Sequence, residues 1–439
     1  MNSFEVAAIG FLAMLGLIAL RIPVGLAMLS VGSAGYIYLS SLPAFLNYMK
    51  TTPFFLFSNY TLSVIPLFIL MGAFAERSGL ATDLFRAASA WVGHWRGGLA
   101  MAVIAACTGF GAICGSSVAT TATFGRTALP ELRRYRYGEG FRTGVIAVGG
   151  TLGILVPPSI ILVVYAISTE QNIAKLFQAA LVPALLASLF YCIVIAIVVR
   201  RDPHAGPAHA PVPKEERWRA LLLVWPALAV AIIVLGGIYG GIFTPTEAAS
   251  VGAASMFAIG LLRRSLPWRE IRTSLLQTAE TAALIFAILL GAEVFNAFLA
   301  LSQVPSQAAT FLGQLGLPPY AVLIALLAFY ILLGAVMDEL AMILLTLPVF
   351  FPIVSALDFG MTADEVAIWF GILVLIVVGI GLTAPPIGLN VFVVSAIARE
   401  VPIAKTYHGV LPFIAADVIR LALCILFPTL SLALVRWLA

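Results

Sequence analysis

Two apolar stretches of this 439-residue chain carry the same break, Gly153-Ile-Leu-Val-Pro157-Pro158 and Gly381-Leu-Thr-Ala-Pro385-Pro386. Adjacent prolines remove two backbone donors and forbid a continuous helix, so carbonyls upstream lose their partners. In hydrocarbon such backbone is tolerated only where protein buries it or where it lines a polar cavity. Matching interruptions in two halves of a membrane chain point to a solute and ion pathway near the bilayer midplane.

The rest of the chain suits a bilayer. It is 62% hydrophobic and 10% charged, against about 25% charged in soluble domains. Apolar runs recur from end to end. The first, residues 4–20, lacks a basic leader and a small-residue cleavage site and reads as a retained span. Cys107, Cys114, Cys192 and Cys424 show no C-x-x-C or Cys/His spacing, so neither a disulfide framework nor a zinc site is indicated. The net charge of +4 reflects arginines at span ends and is not a nucleic-acid footprint.

Those arginines orient the chain. Basic clusters surround Arg77, Arg86 and Arg96, then Arg133–Arg142, Arg200–Arg219 and Arg263–Arg272, with Arg399 and Lys405 further on. Segments 41–53 and 168–175 hold one lysine each, and 236–246, 302–319 and 358–365 hold no Lys or Arg. The positive-inside rule makes the clustered loops cytoplasmic and the N-terminus external. Arg436, at the chain's end, leaves the side of the C-terminus open.

Spans are expected over about 4–20, 24–41, 54–75, 143–167 and 176–199, then 220–240, 246–262, 275–300, 366–398 and 409–436. Residues 98–130 and 319–352 are too long for one crossing and are flanked by loops of one charge class. Each reads as a re-entrant helical hairpin. The fold expected is an all-α polytopic membrane protein with two inverted repeats, residues 1–200 and 220–439. Each repeat would hold five spans and a hairpin, with residues 201–219, rich in proline, as a cytoplasmic tether. Landmarks recur at one spacing: Pro23/Pro245 (245 − 23 = 222), Gly72/Gly291 (219), Pro130/Pro348 (218) and the G-x-x-x-P-P pair (228).

Five motifs in order carry a family resemblance over essentially the whole chain. They are Gly115-Ser-Ser-Val-Ala-Thr120, Gly153-Ile-Leu-Val-Pro-Pro-Ser159, Gly241-Ile-Phe-Thr-Pro-Thr-Glu247, Met337-Asp338 before Leu347-Pro348, and Gly381-Leu-Thr-Ala-Pro-Pro-Ile-Gly-Leu-Asn390. The chain resembles the large membrane subunit of tripartite ATP-independent periplasmic (TRAP) transporters. That resemblance implies a sodium-coupled elevator, with a transport domain of hairpins and broken helices sliding on a scaffold. It also implies a small four-helix membrane subunit, a periplasmic substrate-binding protein, an organic acid as solute, and the bacterial inner membrane. No cofactor beyond the coupling ion is implied. The resemblance often has Ser at Cys114 and Thr at Ala384, where a carbonyl ligand would survive the change.

Sodium prefers oxygen ligands, which unwound helices supply as free carbonyls. A first sodium site is expected at Cys114, Ser116, Ser117, Gly153 and Val156. Repeat symmetry places a second at Gly334, Gly381, Thr383, Ala384 and Ile387. The solute would lie between the hairpin tips, near Thr120, Thr121, Pro157, Pro158, Asp338, Pro385, Pro386 and Asn390, where helix N-termini favour a carboxylate. The bland readings stand beside these. Membrane Ser and Thr commonly bond their own i−4 carbonyl, and Asp338 and Glu247 suit N-terminal capping. Glu280, Glu293 and Asp417 are left open between pairing across helices and facing a partner. The four histidines show no metal-ligand spacing, and the tryptophans suit an interfacial belt.

Three readings follow: the TRAP subunit, a free-standing Na⁺/dicarboxylate symporter of related two-hairpin fold, and an intramembrane enzyme. The ordered motifs favour the first. The third lacks H-E-x-x-H, a paired catalytic Asp, or Ser with a nearby His in any span.

Overall fold

Helices begin where a short polar side chain precedes an apolar run. A computed structural model describes residues 3–304, 307 and 317–438. In it Ser41, Ser116, Ser159, Asn172, Thr244, Asp338 and Thr362 each accept a hydrogen bond from the first turn of the helix they precede. Thr244 with Glu247 and Thr362 with Glu365 complete capping boxes, satisfying N–H groups that lipid could not. Glu247 is thus a capping residue, as its first-turn position suggested.

Among the described residues there are helices and no strands. Six helices are long and apolar enough to cross a membrane by length and composition, eight if each of two bent pairs is one span. The ten expected spans fall largely on helices, several of them interrupted, and Ser3–Ala19 and Val24–Leu39 have only 17 and 16 residues. At 1.5 Å per residue those reach about 25 Å, short of an untilted crossing.

The structure departs from the sequence expectation in four places. Residues 42–57, expected as a loop and the head of a span, form one helix, Leu42–Phe57, with no buried residue. Ser41 and Pro43 start it, and the Asn59-capped turn Tyr60–Ser63 separates it from Val64–Arg77. Gly79, at φ 78°, begins an unforeseen helix Leu80–Val92, which buries Leu80, Leu84 and Phe85. The proline-rich segment is docked rather than loose. The Gly206 carbonyl accepts from Gly97 N (2.9 Å), the Ala205 carbonyl from Gly138 N (3.0 Å), and His209 stacks on Tyr135 at 4.7 Å. Last, the final span divides into Ile403–Leu426 and Thr429–Leu438 around Pro428, which lacks an N–H. The loop at 302–319 lies largely outside the described residues.

Ion pairs at helix ends sort by end. Arg77–Glu270 and Arg126–Glu76 join segments of the basic-cluster class. So do Arg133 and Arg142 with Glu400, Lys405–Glu139 and Arg263–Asp83. Lys175–Asp364 and Arg436–Glu365 join segments of the other class. Among the described residues no pair crosses between classes. Arg436 therefore sits at the same end as 168–175 and 358–365, which accounts for a basic residue the loop rule left unplaced.

One ion pair is internal. Arg420 is fully buried, donates to Asp417 Oδ1 at 2.8 Å and reaches the Pro183 carbonyl at 3.2 Å. Tyr191 donates to Asp417 Oδ2 at 2.7 Å and lies 3.2 Å from Thr151 Oγ1. Asp417 is thereby assigned to a network tying Ile173–Arg201 and Ile403–Leu426 to the first broken helix. Removing one partner of such a pair costs about 3–5 kcal/mol, because a bare charge remains buried, whereas replacing both is nearly neutral. Arg420→Met should therefore lower the thermal midpoint of the purified protein in detergent, and Asp417→Leu added to it should restore most of the loss.

Candidate functional site

Each expected hairpin is a pair of helices joined by a tight break, apolar in three arms and rich in threonine in the fourth, Ser117–Thr127. Gly98–Cys114 and Ser117–Thr127 meet at Gly115-Ser116, and Pro319–Gly334 and Glu339–Ser355 meet at residues 335–338. Gly115, at φ 64°, makes the first reversal without Cβ strain. Ser116 and Asp338, 338 − 116 = 222 residues apart, hold the same N-cap position on the returning arms. Asp338 Oδ1 accepts from Leu340 N and Ala341 N at 3.1 and 3.0 Å, the capping role weighed for it.

The broken helices interrupt where the prolines require. Glu139–Leu155 stops at Val156, and Ser159 caps Ile160–Ser168 at an angle of 44°. Ala363–Gly381 gives way to turns through Leu382–Ile387 before Gly388, at φ 56°, opens Leu389–Ile397. Both Pro-Pro bonds are cis. The two breaks differ in cover: residues 151–160 are all buried, whereas Pro385, Pro386 and Ile387 are exposed.

Each hairpin tip sits on its own break through glycine. A β-carbon on Gly153 would stand 2.5 Å from the Ser116 carbonyl oxygen, and one on Gly381 would stand 2.7 Å from the Gly334 backbone. Those distances leave no room for any side chain. The second tip is also hydrogen-bonded to its break, the Ala335 carbonyl accepting from Ile387 N and Gly388 N at 3.2 and 3.4 Å. The structure thus brings Ser116 to Gly153 and Gly334 to Gly381. The Cys114 carbonyl lies against Gly72.

The hairpins also meet each other. Ser117 Oγ donates toward Glu339 Oε2 (3.2 Å) and Asn390 Oδ1 (3.3 Å), and Asn390 Nδ2 donates to the Ala147 carbonyl at 3.2 Å. Thr120 and Thr383 follow the bland reading, donating to Ser116 O at 2.7 Å and Ile380 O at 3.1 Å in their own helical turns. Thr121 Oγ1 is buried with no partner. Thr120, Thr121 and Asn390 are fully buried, so Asn390 ties helices together here.

Sequence reasoning missed Glu339 and Tyr407. Glu339 stands 339 − 117 = 222 residues from Ser117, the spacing already found for Pro23 and Pro245, and that signal would have flagged it. Tyr407 donates to the Pro386 and Ile387 carbonyls at 2.9 and 2.6 Å, so it holds the open break. It lies in no motif.

Glycine contact makes a sharp comparison. Gly381→Ala forces the tip from its break, an overpacking of about 1–3 kcal/mol. A β-carbon on Gly379, two residues away, would meet nothing nearer than Thr151 Cβ at 3.8 Å. In cells carrying each variant, Gly381→Ala should abolish uptake at normal membrane abundance, while Gly379→Ala should leave it near wild type.

Known proteins resemble this chain over most of its length. A family model described as "Tripartite ATP-independent periplasmic transporter, DctM component" matches residues 11–430. A C4-dicarboxylate TRAP transporter large permease protein from Pseudomonas aeruginosa is 39% identical over 383 residues, 87% of either chain. An ectoine TRAP transporter large permease from Halomonas elongata is 33% identical, covering 85% of this chain and 86% of its own. An isethionate TRAP permease from Oleidesulfovibrio alaskensis, named DctMQ, is 31% identical across 92% of this chain and 62% of its own. The YdaH transporter of Alcanivorax borkumensis, a crystal structure, shares the fold at TM-score 0.63 with 16% identity, covering 88% of this chain and 89% of that one.

Proposed function

The chain belongs to the DctM component family of tripartite ATP-independent periplasmic transporters, and on that footing we propose that it is the sodium-coupled permease for an organic acid. It is a multi-pass large permease subunit, not an enzyme. In the proposal it works in a bacterial inner membrane with a small four-helix subunit and a periplasmic binding protein that delivers the solute. Its halves act as inverted repeats, and the domain of hairpins and broken helices moves as an elevator against the remaining helices.

One observation carries the reading: two hairpin tips, each seated by glycine on its own double-proline break. A break frees carbonyls, and a tip packed against it adds oxygens while excluding lipid, which is what a dehydrated sodium ion needs. Two such units give two ion positions, at Ser116, Ser117, Gly153 and Val156 and at Gly334, Gly381, Thr383, Ala384 and Ile387. The solute is placed between them, beside Thr121 and Asn390 and the exposed Pro385–Pro386 break. The relatives named for C4-dicarboxylates support a carboxylate-bearing solute, and the relative named DctMQ supports a small-subunit partner.

Affinity purification in mild detergent, followed by mass spectrometry, tests the assembly. Recovery of a small four-helix protein in equal amount is expected; recovery of this chain alone, active in liposomes, would make it a free-standing symporter. Ser117→Ala should raise the sodium concentration for half-maximal uptake several-fold. Pro158→Ala and Pro386→Ala should impair coupled uptake without loss of membrane insertion, as read by uptake beside membrane blotting.

A further inference from the structure

The place where the hairpins meet has more acceptors than protons. Asn390 directs Nδ2 to the Ala147 carbonyl, so its Oδ1 faces Ser117. The single Ser117 hydroxyl proton then confronts two acceptors, Asn390 Oδ1 at 3.3 Å and Glu339 Oε2 at 3.2 Å. Thr121 Oγ1, fully buried and unpartnered, lies beside the Asn390 amide over Gly150. Asp338, itself a carboxylate with Oδ1 accepting from the cap, brings no proton to the excess. Segments 98–125, 143–174 and 319–398, which build the hairpins and breaks, contain no Lys or Arg. Glu339 is half-buried and has no cationic residue on those segments, and an unpaired carboxylate withdrawn from water is costly.

A carboxylate, a hydroxyl and an amide oxygen converging without a cation make the donor set of a small hard monocation. We propose that Ser117, Glu339 and Asn390 form a cation site joining the two hairpin tips, filled by a coupling sodium ion or by the ammonium group of a zwitterionic solute. The site rests on the carrier reading and deepens it. It shares Ser117 with the first break position but differs in its other ligands, which come from the second hairpin and the second broken helix rather than from the first break. A charge bound there draws the tips together, so occupancy and tip closure are one event.

Thermal unfolding of the full chain in lipid nanodiscs reads binding without a known solute. Sodium chloride is titrated against potassium chloride at constant ionic strength, and a set of ω-amino acids against succinate. Wild type should be stabilised selectively by sodium or by the amino acids. Glu339→Gln should weaken that response by about tenfold or more, as expected for one lost charged ligand. Glu339→Asp should keep part of it, and Ser117→Ala should weaken it less. A loss confined to sodium assigns the ion, and a loss confined to amino acids assigns the solute. A wild type that responds to neither, or a Glu339→Gln variant that responds as wild type does, overturns the site. If Glu339→Gln fails to fold, the Asp and Ser117→Ala variants decide in the same way. A chain that binds sodium through Glu339 yet purifies without partners defeats only the tripartite reading. A partnered sodium carrier indifferent to Glu339 defeats only this inference.

Discussion

The structure depends on the seating of a hairpin tip on a broken helix. Hydrocarbon leaves no solvent for an unpaired carbonyl, so a double proline within an apolar segment is stable only if other protein covers it. Here the cover is another interrupted element, and contact is close because glycine stands at the interface on both sides of each pair. Gly111 lies against Gly153 and Gly115 against Pro158 in the first, and Gly334 against Gly381 in the second. Each interruption excuses the other. The same packing makes the elements rigid where they touch, since a backbone-to-backbone contact has no side chain through which to yield.

The two units are alike in construction and unlike in surroundings. The first break is enclosed, with Val156 through Ser159 buried, while Pro385 through Ile387 are open and held by Tyr407. Tyr407 belongs to the helix that starts among Arg399 and Lys405, so the open break lies toward the basic-cluster end of the molecule.

Much of this was legible in the sequence because the strongest constraints are local. Proline and glycine act within one turn, and caps act within three residues. The breaks, the hairpin arms and Glu247 therefore appear where residue order alone put them. The sign of the loops was legible too, and ion pairs between distant segments respect it. What could not be read depends on what lies opposite. Residues 42–57 look like a loop and a span until Pro53 is found to be accommodated in one exposed helix. Asn390 carries no sign in the sequence of the bonds it makes to Ala147 and Ser117, which join three separate segments. Glu339 was hidden by its neighbour, since Asp338 accounted for the only acidic signal the tip seemed to need.

The docked segment between the halves bears on motion. A proline-rich stretch free in solvent would let two units move apart, but residues 205 and 206 hold Gly138 and Gly97, which bracket the first hairpin on either side. Downstream, Trp218 meets Trp91 edge to face at 5.5 Å, joining Lys214–Leu223 to Leu80–Val92. The first hairpin is thus gripped at its base by the same segment that reaches the surrounding helices. If the hairpins slide as proposed, they would have to carry this strap along or release two backbone hydrogen bonds and an aromatic stack. Each bond is modest, about 0.5–1.5 kcal/mol, so the strap restrains the motion without forbidding it. The first hairpin is thus held at both ends, its base by this strap and its tip at Ser116 by the break it is seated on.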